Sequence, residues 1–535
     1  MALALPIAVP IFAILATFFE PSSEVWTHLR ESVLLEYVLN TISLLALVAV
    51  LVALLGVGPA WLVATRQFPG RNLLSWALII PIAAPAYVIA YAYADLLAYQ
   101  GPVQVLLRDT GLLQGPMASI RSLPGAAFVL ACTLYPYVYL FAFNAFAQQA
   151  RPLTEAARML GAGPGRAFFR IALPHARPAI AGGIALALME TAADFGVVEF
   201  FGVPTLTNGI FRTWYAQGEH QAAMQMAGWL FVVVAALVVL EQLVRRGSHA
   251  NPVSRNVVAQ RRTADGWKGG LLTLLCSLPV VLGFLLPGSL LLQHALTVGD
   301  PMWGNRFIDY LLNSVTVALI AAGLAVIGAI WLSYAMRLKA QQAQRRTSLT
   351  VMGVRIATLG YAIPGMVLAV GMIGPLTTLD KWLAETLYTL FDMRTGLLLT
   401  GSVAALVFVY LARFLTVAYN SCEGGLATIH PHYDAAARSL GAGPWRLLRR
   451  VHLPIMTPAA LTAVLLVFVD VIKELPATLI LRPFNFETLA TRAYRLASDE
   501  RIAEASTAAL CIVAVGLIPA LLIAWQNFAQ NRSAT

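Results

Sequence analysis

Long uncharged runs separated by short, basic polar islands set the pattern of this chain. Twelve runs stand out: 1–19, 37–65, 72–94, 122–150, 178–200 and 221–240, then 269–299, 310–336, 356–379, 395–412, 455–481 and 505–531. A helix of about 20 apolar residues crosses about 30 Å of hydrocarbon. Backbone groups in lipid must be paired within their own segment, so each run predicts a transmembrane helix. The ten-residue alternation of a membrane barrel is absent. The pattern predicts an all-α polytopic membrane protein with about 12 transmembrane helices.

The runs fall into two similar sets. Residues 155–164 read EAARMLGAGP and residues 435–444 read AAARSLGAGP, agreeing at eight of ten positions, 280 apart. Pro178 pairs with Pro458, Glu190 with Asp470, Asp194 with Glu474 and Arg212 with Arg492 at that offset; upstream, Pro85 pairs with Pro364 and Asn40 with Asn313. Six spans return the chain to its starting side, so the two halves run parallel and imitate a symmetric dimer. The expected division is a first repeat over 1–240, a polar basic linker over 241–268, and a second repeat over 269–535.

Composition agrees with lipid as the solvent. Hydrophobic residues make up 59 % and charged residues 12 % of the chain, against roughly 25 % charged in a soluble domain. With both islands on one side, that side holds about 24 of the 36 Lys and Arg, which makes it cytoplasmic and places both termini there. The net charge of +10 is then a positive-inside bias and calls for no nucleic acid. The first run lacks a basic start and a cleavage pattern, and reads as a retained helix. Cys132, Cys276, Cys422 and Cys511 are scattered, with no disulfide or zinc spacing.

The islands, 151–174 and 431–454, read as a short helix, a glycine turn and a second short helix. Thr154 and Glu155 suit a helix start. The small Ala156–Ala157 face allows close approach by a partner, and Gly161 allows a turn a side chain would block. In the second copy Ala435 stands where the glutamate is expected, and Asp434, one step earlier, is a candidate cap. No G-x-x-x-x-G-K-[ST] phosphate cradle and no hydrolase or metalloprotease motif occurs. His430 and His432 read as plain loop residues rather than a metal site.

Glu-Ala-Ala, three residues, Gly, nine residues, Ile-x-Leu-Pro fits Glu155, Ala156, Ala157, Gly161, Ile171, Leu173 and Pro174 without a gap. This resembles the EAA loop of permease subunits of bacterial ABC importers, the type I-like permease fold. The second copy keeps Ala436, Ala437, Gly441, Leu453 and Pro454, with Asp434 as its acidic residue. Over nearly its full length, most plainly at 469–495 and 189–215, the chain is similar to fused two-half permeases of ferric iron importers. The resemblance implies coupling loops that dock on two cytoplasmic ABC ATPase subunits and a periplasmic substrate-binding protein as further partner. It also implies a bacterial inner membrane location. ATP would be bound by the partner, with no cofactor or ATPase site on this chain. Related permeases for thiamine, phosphonate or polyamine share the architecture.

The fifth and eleventh runs are interrupted by charge at matching places, Glu190 and Asp194 in one, Asp470, Lys473 and Glu474 in the other. Interrupted helices in corresponding positions point to a transport path, and intramembrane charge generally faces a bundle interior or a water-filled cavity. A carboxylate-lined passage suits a hard cation, since ferric iron favours oxygen ligands. The competing reading is structural: Lys473 neutralises one acid and the others cap helices. Tyr87, Tyr91, Tyr93, Tyr135, Tyr137 and Tyr139 offer further oxygens or form an aromatic belt. An ion-driven 12-span carrier would also explain parallel halves and buried acids, but not the duplicated islands.

Overall fold

A computed structural model of the chain describes residues 5–20, 23–148, 159, 161, 163–245, 262–340, 349–358 and 360–532. Among them, helices dominate, and the strand content is one two-residue parallel pair, Arg66–Gln67 with Arg262–Thr263. Nine helices among the described residues are long and apolar enough to cross a membrane, and two bent helix pairs raise the number to eleven. The twelfth run lies in the helix Ile502–Arg532. Each of the twelve apolar runs is therefore mainly helical, because lipid-facing backbone has no other way to pair its amides.

Several helices extend past the charges that bounded their runs. The run ending at 379 becomes the helix Gly365–Phe391, and the run ending at 412 becomes Val403–Ala427. The charges concerned, Asp380 and Arg413, are buried and paired rather than terminal.

Two compact units emerge. One comprises Arg30–Asn208, Val232–Pro301 and Ala493–Thr535; the other comprises Met1–Leu29, Gly209–Phe231 and Met302–Arg492. In the second, the helix Leu5–Ala16 packs on Gly365–Phe391 so closely that a Cβ on Gly371 would sit 2.7 Å from Ile14 Cδ1 and 2.8 Å from the Pro10 carbonyl oxygen. Small residues permit such close helix contacts in membranes. In the first, the Tyr93 hydroxyl donates to the Leu282 carbonyl at 2.7 Å. The repeat is a matter of sequence register, while the compact units exchange their opening helices.

Candidate coupling loops and interrupted spans

The second island is built in full. Pro431–Ser439 forms a helix, and the His430 side chain accepts from the His432 amide at its start. The helix ends in a Schellman motif: the Gly441 N–H donates to the Arg438 carbonyl at 2.9 Å, and the Ala442 N–H to the Ala437 carbonyl at 3.0 Å. Gly441 takes φ +76, a left-handed conformation costly for any residue with a Cβ. Gly161 takes φ +83 at the matching position of the first island. Glu155, Ala156 and Ala157 lie outside the described residues. Each glycine is followed by a short helix and a π-helical turn, Phe168–Ala172 and Leu448–His452, which run into the long helices at Leu173 and Leu453. Pro174 and Pro454 follow the π-turns directly, two residues into the long segments.

Ala436 lies on the exposed face and Ala437 is half-buried. Around them Tyr433, Leu440 and Trp445 are exposed apolar residues, a surface fit for a partner. Asp434 faces the other way. It is buried, receives Arg337 Nε at 2.9 Å and Nη2 at 3.1 Å, and lies 2.7 Å from His452 Nε2. The expectation that Asp434 caps the helix is corrected: His430 does so, and Asp434 is held by a cation from another helix. His430 and His432 stack at 4.3 Å, and among the described residues no group of three or more His, Cys, Asp or Glu forms a metal-holding cluster.

Both charged spans break where the charges predict. Leu173–Ala193 is followed by the short helix Gly196–Phe200, and Leu453–Ile472 by Pro476–Leu481. At the first break, Asp194 accepts from the Val197 amide at 2.9 Å. At the second, Glu474 accepts from the Ala477 and Thr478 amides, each at 3.2 Å, and from Arg413 Nη1 at 2.9 Å. These two matched acids cap the short helices, satisfying amides that would otherwise be orphaned. Asp470 pairs with Lys473 at 2.7 Å, and Glu190 is half-buried one helical turn before Asp194. Asp194 and Glu474 thus hold the capping role of the structural reading, and Lys473 neutralises Asp470 as that reading expects. Tyr91, Tyr93, Tyr135 and Tyr139 are buried, unlike the rings of an interfacial belt.

A matched pair of bonds anchors the segment beyond each break. Asn40 Nδ2 donates to the Pro204 carbonyl at 3.1 Å, and Asn313 Nδ2 to the Glu487 carbonyl at 3.0 Å. The neighbours Thr41 and Ser314 accept from the Leu206 and Leu489 amides at 3.1 and 2.8 Å. Those leucines open two ten-residue amphipathic helices, Leu206–Tyr215 and Leu489–Ser498. The offset there is 283, not 280, so Arg212 corresponds to Arg495 rather than to Arg492. The second copy is longer between its short helix and its amphipathic helix, a difference that no single fixed offset can carry.

Two helical repeats, each with a glycine-turned island and an interrupted span, define a class of transport protein. The family model described as "Binding-protein-dependent transport system inner membrane component" matches residues 53–245 and again 330–532. The chain belongs to that family and carries its domain twice. It is 24 % identical over 503 residues, 91 % of this chain and 89 % of the relative, to the "Fe(3+)-transport system permease protein FbpB 2" of Haemophilus influenzae. A spermidine/putrescine permease, PotB, of the same organism is 26 % identical over 34 % of this chain and 64 % of its own length. A chain of a bacterial alginate ABC transporter crystal structure aligns with 47 % of this chain and 91 % of its own length, at 16 % identity and a TM-score of 0.36.

Proposed function

We propose that this chain is the permease of a binding-protein-dependent ABC importer for ferric iron. The match to an Fe(3+) permease along 91 % of the chain carries that reading; the polyamine permease match stops at about a third. Two cytoplasmic ATPase subunits dock on the islands, one each, and a periplasmic protein delivers the substrate. Both termini and both islands lie in the cytoplasm, in keeping with the basic bias of that side. ATP is bound and hydrolysed on the partners. Closure of the ATPase pair draws the islands together, and the long helices that begin at Leu173 and Leu453 carry the movement to the breaks at 194–195 and 473–475. Glu190 and Asp470 are the candidate path carboxylates, each beside the break of its own span, while Asp194 and Glu474 hold the interrupted backbone.

The test is uptake of radiolabelled ferric iron into cells lacking the native gene, with and without this chain, against spermidine and 2-aminoethylphosphonate as competitors. Iron accumulation that needs the ATPase partner supports the reading. Polyamine uptake instead would move the chain to the second substrate class, and uptake driven by an ion gradient alone would end the importer reading.

A further inference from the structure

The same place in the fold is built in two opposite ways in the two repeats. In the first, Trp61 packs on Phe146 at 5.2 Å and on Phe168, in the π-turn, at 5.1 Å. This is an aromatic contact with no charged member. The offset of 273 that pairs Asn40 with Asn313 pairs Trp61 with Tyr334 and Ala64 with Arg337. The offset of 280 pairs Phe168 with Leu448, Ala172 with His452 and Thr154 with Asp434. In the second repeat those positions hold a charged cluster. Arg337 grips Asp434 with two nitrogens and also donates to the carbonyls of Leu426 at 2.7 Å and Ile429 at 2.9 Å. His452, fully buried, closes the other side of the carboxylate, and the Tyr334 ring packs on it at 5.5 Å. The Tyr334 hydroxyl donates to the Pro444 carbonyl at 2.6 Å.

We infer that Asp434 is a positioning residue, the centre of a latch that locks the second coupling helix to the membrane helices on either side of it. Arg337 lies in the helix Asn305–Ala340 and His452 in the turn leading to Leu453–Ile472. A carboxylate held by both cannot swing out to meet a partner. Charge-assisted hydrogen bonds resist distortion about twice as strongly as neutral ones, and a buried pair cannot lose one member cheaply. The second island therefore transmits movement as a rigid body, with no acidic side chain of its own at the Glu155 position. The first keeps Glu155 and has no ionisable residue where His452 stands. The two sockets offer different residues to a partner.

The inference that the latch serves coupling rests on the ATPase-docking reading; the latch itself does not, so two measurements separate them. The first is amide hydrogen exchange of the full-length chain in lipid nanodiscs. Asp434→Asn and His452→Ala should each raise exchange over 431–439 by about tenfold or more, with 164–172 unchanged. His452→Gln, which keeps an N–H toward the carboxylate, should restore protection. Unchanged exchange in both loss variants overturns the latch. The second uses the assembled transporter. Asp434→Asn and His452→Ala should retain the ATPase subunits through purification while uptake per ATP hydrolysed falls about tenfold. Glu155→Ala should instead weaken retention. If Asp434→Asn releases the ATPase as Glu155→Ala does, Asp434 is a docking group and the inference is overturned. If the unaltered chain retains no ATPase, the importer reading falls, and the exchange result still decides the latch.

Discussion

At the scale of single residues, the ion pair Arg413–Glu474 is costly to break because both partners are buried. Both side chains are more than nine-tenths buried, and Glu474 also receives two backbone amides at the span break. Glu474→Gln removes the carboxylate charge that faces the buried guanidinium, and breaking a buried pair costs about 3–5 kcal/mol. A lowered thermal midpoint in detergent is the expected outcome, with Arg413→Leu/Glu474→Leu less damaged than Glu474→Gln alone. Gly441→Ala forces a left-handed residue with a Cβ, costing about 1–2 kcal/mol, and should reduce coupled uptake while the membrane helices stay intact by circular dichroism. Gly441 was legible in the sequence, because a glycine repeated at the end of a helix-forming phrase marks a turn that a Cβ would strain. Arg413 was not: it stood one residue past an apolar run and looked like the end of a span. Only the fold shows that its charge is met by Glu474, so the helix passes through it.

At the scale of elements, the positions of the twelve apolar runs were readable because lipid leaves helix as the one backbone solution. Their ends were less readable, since a charge ends a span only if nothing in the protein pairs with it. Asp380 illustrates this. It sits inside the helix Gly365–Phe391 and accepts the amides of Leu398, Leu399 and Thr400 at 3.0, 2.7 and 2.6 Å, binding the next loop to the helix. The matched asparagines were visible as a repeat, but their role was not, because hydrogen-bond partners 164 and 174 residues away leave no local signal. Asn40→Ala and Asn313→Ala each strip a carbonyl of its donor, at about 1–3 kcal/mol if the oxygen stays buried. Each variant should loosen only its own amphipathic helix. Amide exchange should rise over 206–215 in the first and over 489–498 in the second, and equal loosening of both helices by either variant would contradict the assignment.

At the scale of the whole molecule, two expectations concern how distant stretches of chain are joined. Arg121 and Glu500 form a bidentate pair at 2.7 and 2.8 Å, tying the segment before Leu123 to the segment before Ile502. Hydrogen bonding to Arg121 holds the Glu500 carboxyl below its ordinary range. A depressed carboxyl stabilises the fold at neutral pH and loses that contribution as pH falls through the acidic range. Exposure and screening limit it to about 0.5 kcal/mol, so Glu500→Gln should shift the thermal midpoint slightly at neutral pH and not at all well below about pH 4. The larger expectation comes from the exchanged opening helices. The helix Leu5–Ala16 belongs to the same compact unit as Met302–Arg492, and Trp267–Val280 to the same unit as Arg30–Asn208. Each half of the sequence therefore lacks a helix that its own bundle buries. A gene cut between 246 and 261 should give two fragments that are each degraded when made alone, since an uncovered helix face and its close contacts, such as Gly371 against Ile14, are left without a partner. Made together, they should accumulate, co-purify and restore uptake. The sequence showed two repeats joined by a linker; each compact unit draws helices from both of them. Stable accumulation of residues 262–535 alone, with the protease resistance of the intact chain, would show that the opening helix is dispensable to that unit.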